Sequence, residues 1–298
     1  MSENSNIKFD PDALQQLGRI DLIARFIVQG FQSGVNKSLK KGVSTEFSDF
    51  KSYAEGDDIR FIDWRLFART EKLFIKTFEA EKELQVMLVL DASKSMAWEW
   101  EDEITKLQYA VNLIASMAVL HIKLNNKAGL LLSVAGNDFF LKPRSNRRQL
   151  DEIFAMLGTI DPGSGNTLER NAILASEHCR QKSQIIICTD FEEDPDATLT
   201  ALDTFSSSQS EVIVFHILHK AEETLPFDNA THLQDSETGE KIKVDSRELK
   251  KFQENAVSEF RNNWKNECEN RNCTYIPVST KDSYVEVLME LLEMRKNS

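Results

Sequence analysis

The chain has 298 residues and a formal net charge of −12, with 41% apolar and 28% charged residues. That length allows one large domain or about two ordinary ones, and the apolar share is enough for a full core. The acidity argues against nonspecific binding to nucleic acid or to an anionic membrane surface, while permitting basic partners. No apolar stretch approaches the ~20 residues that span a bilayer, and the polar start Met-Ser-Glu-Asn-Ser-Asn-Ile-Lys has no signal-peptide core. Cys179, Cys188, Cys268 and Cys273 form no Cys-x-x-Cys pair and no metal-binding spacing, so they read as reduced thiols of a cytoplasmic protein.

Residues 1–80 read as an N-terminal region, and residues 81–298 as the main domain. Asp10-Pro11-Asp12 suits a helix start, followed by Leu14, Leu17, Ile20, Ala24 and Ile27 at helical spacing. Phe47–Tyr53 looks extended. Gly56-Asp57 is placed to cap a short helix in which Ile59, Ile62 and Leu66 share a face, and Lys72–Phe78 alternates as a strand does.

From about Glu81 strands and helices alternate. Strand Val86–Leu90 precedes an amphipathic helix over 104–124. Strands 128–134 and 139–141 form a hairpin across Gly136-Asn137-Asp138, and a helix spans 148–157. Helix 168–181, strand 184–189, helix 196–205 and strand 212–218 follow. The alternation is interrupted near 230–244, where segments 231–234 and 241–244 read as a small inserted hairpin. Asp245 and Glu248 resemble a capping box opening the next helix, and strand 274–278 and helix 284–294 close the unit. The fold class is therefore α/β: a doubly wound, mostly parallel six-stranded sheet with helices on both faces, preceded by an N-terminal region packed on it.

Val86–Leu90 is short, apolar and β-branched, as expected for a strand buried on both faces. It stops abruptly at Asp91, Ser93 and Ser95. Ligands of open α/β sheets bind outside the carboxyl ends of the strands, so this polar triplet lies where a site is expected. A second loop supplies Thr167 after Gly163-Ser164-Gly165, and a third supplies Asp190 directly after Ile185-Ile186-Ile187-Cys188-Thr189. Oxygen donors without nitrogen or sulfur suit Mg2+, Mn2+ or Ca2+ rather than zinc. Taken singly, each element has a plainer role: a turn, a helix N-cap, another turn.

Asp-x-Ser-x-Ser after a buried strand, a later Thr and a later strand-end Asp resemble the metal-ion-dependent adhesion site of von Willebrand factor A-type domains, whose fold is a doubly wound six-stranded sheet. The resemblance implies that Ser93, Ser95 and Thr167 offer hydroxyl oxygens while Asp91 and Asp190 contribute charge directly or through water. One coordination position is then left for a partner's carboxylate. Phe191 follows Asp190 where many such domains have glycine.

Ser44-Thr45-Glu46-Phe47 and Tyr53-Ala54-Glu55-Gly56-Asp57-Asp58-Ile59-Arg60-Phe61-Ile62-Asp63-Trp64, followed by Ala68-Arg69, carry a second resemblance. They are similar, in order, to the bacterial family catalogued as domain of unknown function fifty-eight, as is the late Asp-Ser-Glu-Thr-Gly-Glu hairpin. The resemblance implies a cytoplasmic adaptor linking a MoxR-type AAA+ ATPase to client proteins, either of which supplies the bridging carboxylate. Read without the family, the block is an ion-pair network of Asp57, Asp58 and Asp63 with Arg60, Arg65 and Arg69 that docks the N-terminal region, with Trp64 as a core anchor. The competing reading is a partner-facing surface.

No enzyme class finds its residues. A haloacid dehalogenase-like phosphohydrolase also ends its first strand in Asp but needs an acid two residues on, where Ser93 stands. Neither Gly-x-Ser-x-Gly nor a P-loop occurs. His121, His178, His216, His219 and His232 read as structural or surface residues, so no catalytic or organic-cofactor residues are expected.

Overall fold

The structure, a computed structural model, describes residues 21, 24–25, 27–29, 49–53, 64–70, 72–77, 84–101, 103–134, 136–161, 167–179, 183–207, 210–224, 231–234, 241–244 and 246–296. The chain divides into two compact units, Val35–Glu83 and a larger one formed by Met1–Gly34 with Leu84–Ser298.

In the smaller unit, strands β1 (Asp49–Ser52) and β2 (Phe74–Thr77) pair antiparallel, and helix α1 spans Trp64–Thr70. Trp64 corrects the expectation of a core anchor: it is 62% exposed and meets Phe67 edge to face. The Glu46-Phe47 segment, the Gly56-Asp57 cap and the charged residues Asp57, Asp58, Arg60 and Asp63 lie outside the described residues, as does most of the helix expected after Asp10.

The larger unit holds a six-stranded sheet. Its strands are β3 (Gln85–Leu90), β4 (Lys127–Val134), β5 (Asn137–Arg144), β6 (Ser183–Thr189), β7 (Glu211–Leu218) and, after the small antiparallel hairpin β8 (Thr231–Gln234) and β9 (Lys241–Val244), β10 (Cys273–Ser279). The order is β10-β7-β6-β3-β4-β5, parallel except for the antiparallel β4–β5 pair. The helices are α2 (Lys106–Lys123), α3 (Arg147–Leu157), α4 (Thr167–His178), α5 (Pro195–Ser206), α6 (Lys220–Thr224), α7 (Ser246–Asn270) and α8 (Tyr284–Lys296). Among the described residues, no helix is long and apolar enough to cross a membrane.

The central strands are buried along almost their whole length because helices cover both faces. Met87, Val89, Ile185, Ile187, Val212 and Val214 point to one face, against Leu168 and Ala172 of α4, Leu202 and Phe205 of α5, and Trp264 of α7. The alternate residues point to the other face, where α2 packs across β3, β4, β6 and β7. Burying each such side chain contributes roughly 1.5–3 kcal/mol, so the sheet centre is the stiffest ground on which to mount a site. The four cysteines are free and buried.

The antiparallel edge is longer than the 139–141 segment expected from alternation. Gly129 explains how the long strand fits: a Cβ there would lie 2.5 Å from the Leu141 carbonyl, at the register shift between Ala128 and Leu130. Gln149 of α3 pins that irregularity by donating to the Ala128 and Lys142 carbonyls. Pro143 is tolerated because β5 is an edge strand.

The topology also fixes where a ligand fits. From β3 the chain crosses through α2 to β4 on one side, while from β6 it crosses through α5 to β7 on the other. The carboxyl ends of the adjacent strands β3 and β6 therefore open a crevice. Asp91 and Asp190 are the residues that follow these two ends, and the Asp91 amide extends the ladder by donating to the Cys188 carbonyl.

Candidate functional site

Asp91, Ser93, Ser95, Thr167 and Asp190 are all buried at this switch point. Asp91 is completely enclosed, and its carboxylate accepts from three protein donors. Thr167 Oγ1 donates to Oδ1 at 2.6 Å, the Ser93 amide donates to Oδ1 at 2.9 Å, and Thr189 Oγ1 donates to Oδ2 at 2.7 Å. Ser93 Oγ and Ser95 Oγ lie 3.0 Å apart, Ser95 opening a single 3-10 turn over Ser95–Ala97. Burial and the charge of Asp190 push the Asp91 carboxyl up, against the lowering effect of its hydrogen bonds.

Thr167 is held from behind. Its amide and that of Leu168 donate to Glu193 Oε1 and Oε2 at 2.6 and 3.2 Å, so a carboxylate from the β6–α5 loop caps helix α4. Burial and Asp91 push the Glu193 carboxyl up to about 8.

Asp190 has different company. Its Oδ2 lies 2.9 Å from Lys106 Nζ, and both side chains are fully buried. The same ammonium donates to Glu192 Oε1 at 2.8 Å and to Glu222 Oε1 at 2.6 Å. Burial alone would lower the Lys106 pKa, but Asp190, Glu192 and Glu222 prevail and hold the ammonium charged. Toward Asp190 the pairing is by charge alone, because Oδ2 makes no aligned hydrogen bond. Asp190 Oδ1 accepts from the Glu192 amide at 3.2 Å, and its carbonyl accepts from His216 Nε2 at 3.2 Å. Tyr275 donates to His216 Nδ1 at 2.6 Å, and burial takes the His216 pKa down to about 3, so the ring is neutral.

Phe191 takes φ +57°, the left-handed region that glycine enters freely. Two contacts hold it there: its amide donates to Thr189 Oγ1 at 3.1 Å, and its ring stacks on Trp264 at 4.4 Å.

The five residues singled out in the sequence thus divide. Asp91 is linked to Thr167 by a hydroxyl and to Ser93 by its amide, and Ser93 to Ser95 by a hydroxyl pair, while Asp190 turns to an ammonium. Thr189, Glu193 and Lys106 were missed. Lys106 had a legible signal: with Ala110, Leu113 and Met117 it shares a face of α2 at helical spacing, and a lysine there must be paired. Among the described residues, no group of three His, Cys, Asp or Glu side chains could hold a metal; the candidate set is instead hydroxyl-rich. Cis oxygens of an octahedral magnesium ion lie about 3.0 Å apart, from bonds of about 2.1 Å. Ser93 Oγ and Ser95 Oγ are hydrogen-bonded to each other at 3.0 Å, a separation that also matches that edge.

The family described as "Protein of unknown function DUF58" matches residues 49–263. The chain belongs to the DUF58 family. This DUF58 chain is 24% identical over 234 residues to the uncharacterized proteins Rv1480 of Mycobacterium tuberculosis and Mb1516 of Mycobacterium bovis, covering 77% of its own length and 73% of theirs. Its fold is similar to that of an aerotolerance-related membrane protein from Bacteroides fragilis, with a TM-score of 0.47 and 20% identity, covering 72% of this chain and 99% of that one. It is likewise similar to the conserved hypothetical protein BatB from Bacteroides thetaiotaomicron, with a TM-score of 0.46 and 17% identity, covering 72% of this chain and 100% of that one.

Proposed function

We propose that this chain is a divalent-cation-dependent protein-interaction module of the von Willebrand A type, working in the cytoplasm as an adaptor between a MoxR-type AAA+ ATPase and client proteins. The observation that carries the cation reading is the buried hydroxyl set. Ser93 Oγ and Ser95 Oγ are hydrogen-bonded at 3.0 Å, a separation that also matches one octahedral edge, and the Ser93 amide and the Thr167 hydroxyl both donate to Asp91 Oδ1. With its proton directed at the carboxylate, Thr167 Oγ1 can offer a lone pair to a cation. Asp91 supplies charge and is locked in orientation by three donors. Magnesium, manganese or calcium, when bound, supplies a Lewis-acid position that a partner's Asp or Glu carboxylate fills.

No bond is made or broken in this reading. The phosphohydrolase alternative lacks its acid, because Ser93 stands at that position and its hydroxyl is engaged with Ser95. The choice of a MoxR-type ATPase as partner rests on the family resemblance of the Tyr53–Trp64 block and on nothing geometric.

The test pairs cation uptake with partner capture. Manganese uptake is followed by electron paramagnetic resonance, and capture of a MoxR-type ATPase is compared in magnesium and in chelator. Uptake and capture should both be lost in Asp91→Ala with the circular dichroism spectrum unchanged. Equal uptake by the variant and the parent protein would end the cation reading; equal capture in chelator would end the cation dependence of the partnership.

A further inference from the structure

Lys106 is placed against several physical preferences at once. It is the first residue of α2, where the helix dipole favours an acid and disfavours a cation. It is a lysine with a fully buried side chain, a state that occurs only with charge compensation. The compensation comes from two separate segments: Asp190 and Glu192 in the loop after β6, and Glu222 in helix α6. Its contacts are also unequal. Glu192 and Glu222 each accept an aligned hydrogen bond, whereas Asp190 Oδ2 is buried, 2.9 Å away and without one.

We propose that Lys106 is a tethered competitor for the divalent cation. At rest its ammonium neutralises Asp190, and an ion entering at Asp91, Ser93, Ser95 and Thr167 recruits Asp190 by displacing the ammonium onto Glu192 and Glu222. This rests on the cation reading of the site given above. Releasing Asp190 gives up the strongest charge contact of the ammonium but no aligned hydrogen bond; the entering ion takes over that charge at Asp190, while the two bonds that remain keep the ammonium paired. The displacement also carries a signal. Glu222 accepts from Lys106 through Oε1 and from the His219 amide through Oε2 at 2.7 Å, so a shift of the ammonium loads the junction between β7 and α6. Affinity for the ion is thus set by the lysine as well as by the ligands.

Manganese is the probe, and the full chain is used throughout. Lys106→Met should bind the ion at least tenfold more tightly than the parent protein. Because that variant leaves three carboxylates without their cation, a second one, Lys106→Met with Glu192→Gln, keeps the net charge constant. It should show the same gain, which then reports the release of Asp190 and not bulk charge. In the parent protein, magnesium should shift the buried lysine ammonium resonance in a nitrogen–proton spectrum, and that signal should be absent from both variants. A parent protein that takes up no manganese would overturn the cation reading itself. A parent that takes it up with the same affinity as the charge-neutral variant, or with an unmoved ammonium signal, would overturn the competitor role alone.

Discussion

Asp91 and Asp190 follow adjacent parallel strands and are equally buried, yet one is met by hydroxyls and an amide, the other by an ammonium. Neutral donors orient a carboxylate without cancelling its charge. An ammonium cancels the charge but surrenders the carboxylate's availability. The first arrangement leaves an electrostatic demand that a further cation can meet; the second meets the demand from within the chain. The crevice thus has an open half and a self-satisfied half, and substitutions should separate them.

The largest effect belongs to the ionic half. Lys106→Met strands Asp190, Glu192 and Glu222, and breaking a buried pair from one side costs about 3–5 kcal/mol. Urea unfolding at neutral pH without added metal should show that loss. A change under about 1 kcal/mol would mean that the pairing behaves like a surface bridge and that the two halves are alike.

The hydroxyl half should respond less in stability. Thr189→Val keeps shape but removes the donor to Asp91 Oδ2 and the acceptor of the Phe191 amide. A buried group left unsatisfied costs about 1–3 kcal/mol. The same variant should weaken manganese uptake, because Asp91 loses one of the bonds that aim it. Unchanged uptake together with lost stability would place Thr189 in support of Phe191 only.

The smallest effect is expected outside the crevice, where Arg170 of α4 forks onto Asp138 of the β4–β5 hairpin. The arginine holds the Asp138 carboxyl below its ordinary value of 3.8. A depressed acid contributes stability that is present above its unfolded pKa and lost as pH falls through the folded one. Asp138→Asn should therefore lower the melting temperature slightly near neutrality, and the two melting curves should converge in strong acid. Solvent screening keeps this pair weak; a loss as large as that of Thr189→Val would contradict the ranking.

Much of the fold was legible because its signals are local. Each of the six sheet strands appears where short apolar runs were bounded by turn residues, and the 231–234 and 241–244 hairpin arms match their observed limits. The candidate loops were legible because Asp91, Thr167 and Asp190 sit at element ends, where polar residues follow apolar ones abruptly. Trp64 was misread because a tryptophan's burial depends on what surrounds it, not on its own apolarity. The Asn137–Arg144 strand was read too short because its exposed, lysine-bearing edge hides the alternation. Phe191 shows the mixed case. It was noticed as a departure from glycine, but only Trp264 and Thr189, distant from it or unremarked in sequence, show how a phenylalanine is held at a positive φ.

The sequence alone determined the α/β alternation, the buried strand that ends in Asp91, and the oxygen character of the three loops, because periodicity and residue chemistry are carried within short stretches. The tertiary structure alone decided which carboxylate faces hydroxyls and which faces Lys106. That choice depends on the chain order around the crevice between β3 and β6, where α2 after β3, α4 before β6 and α6 after β7 meet from distant parts of the chain.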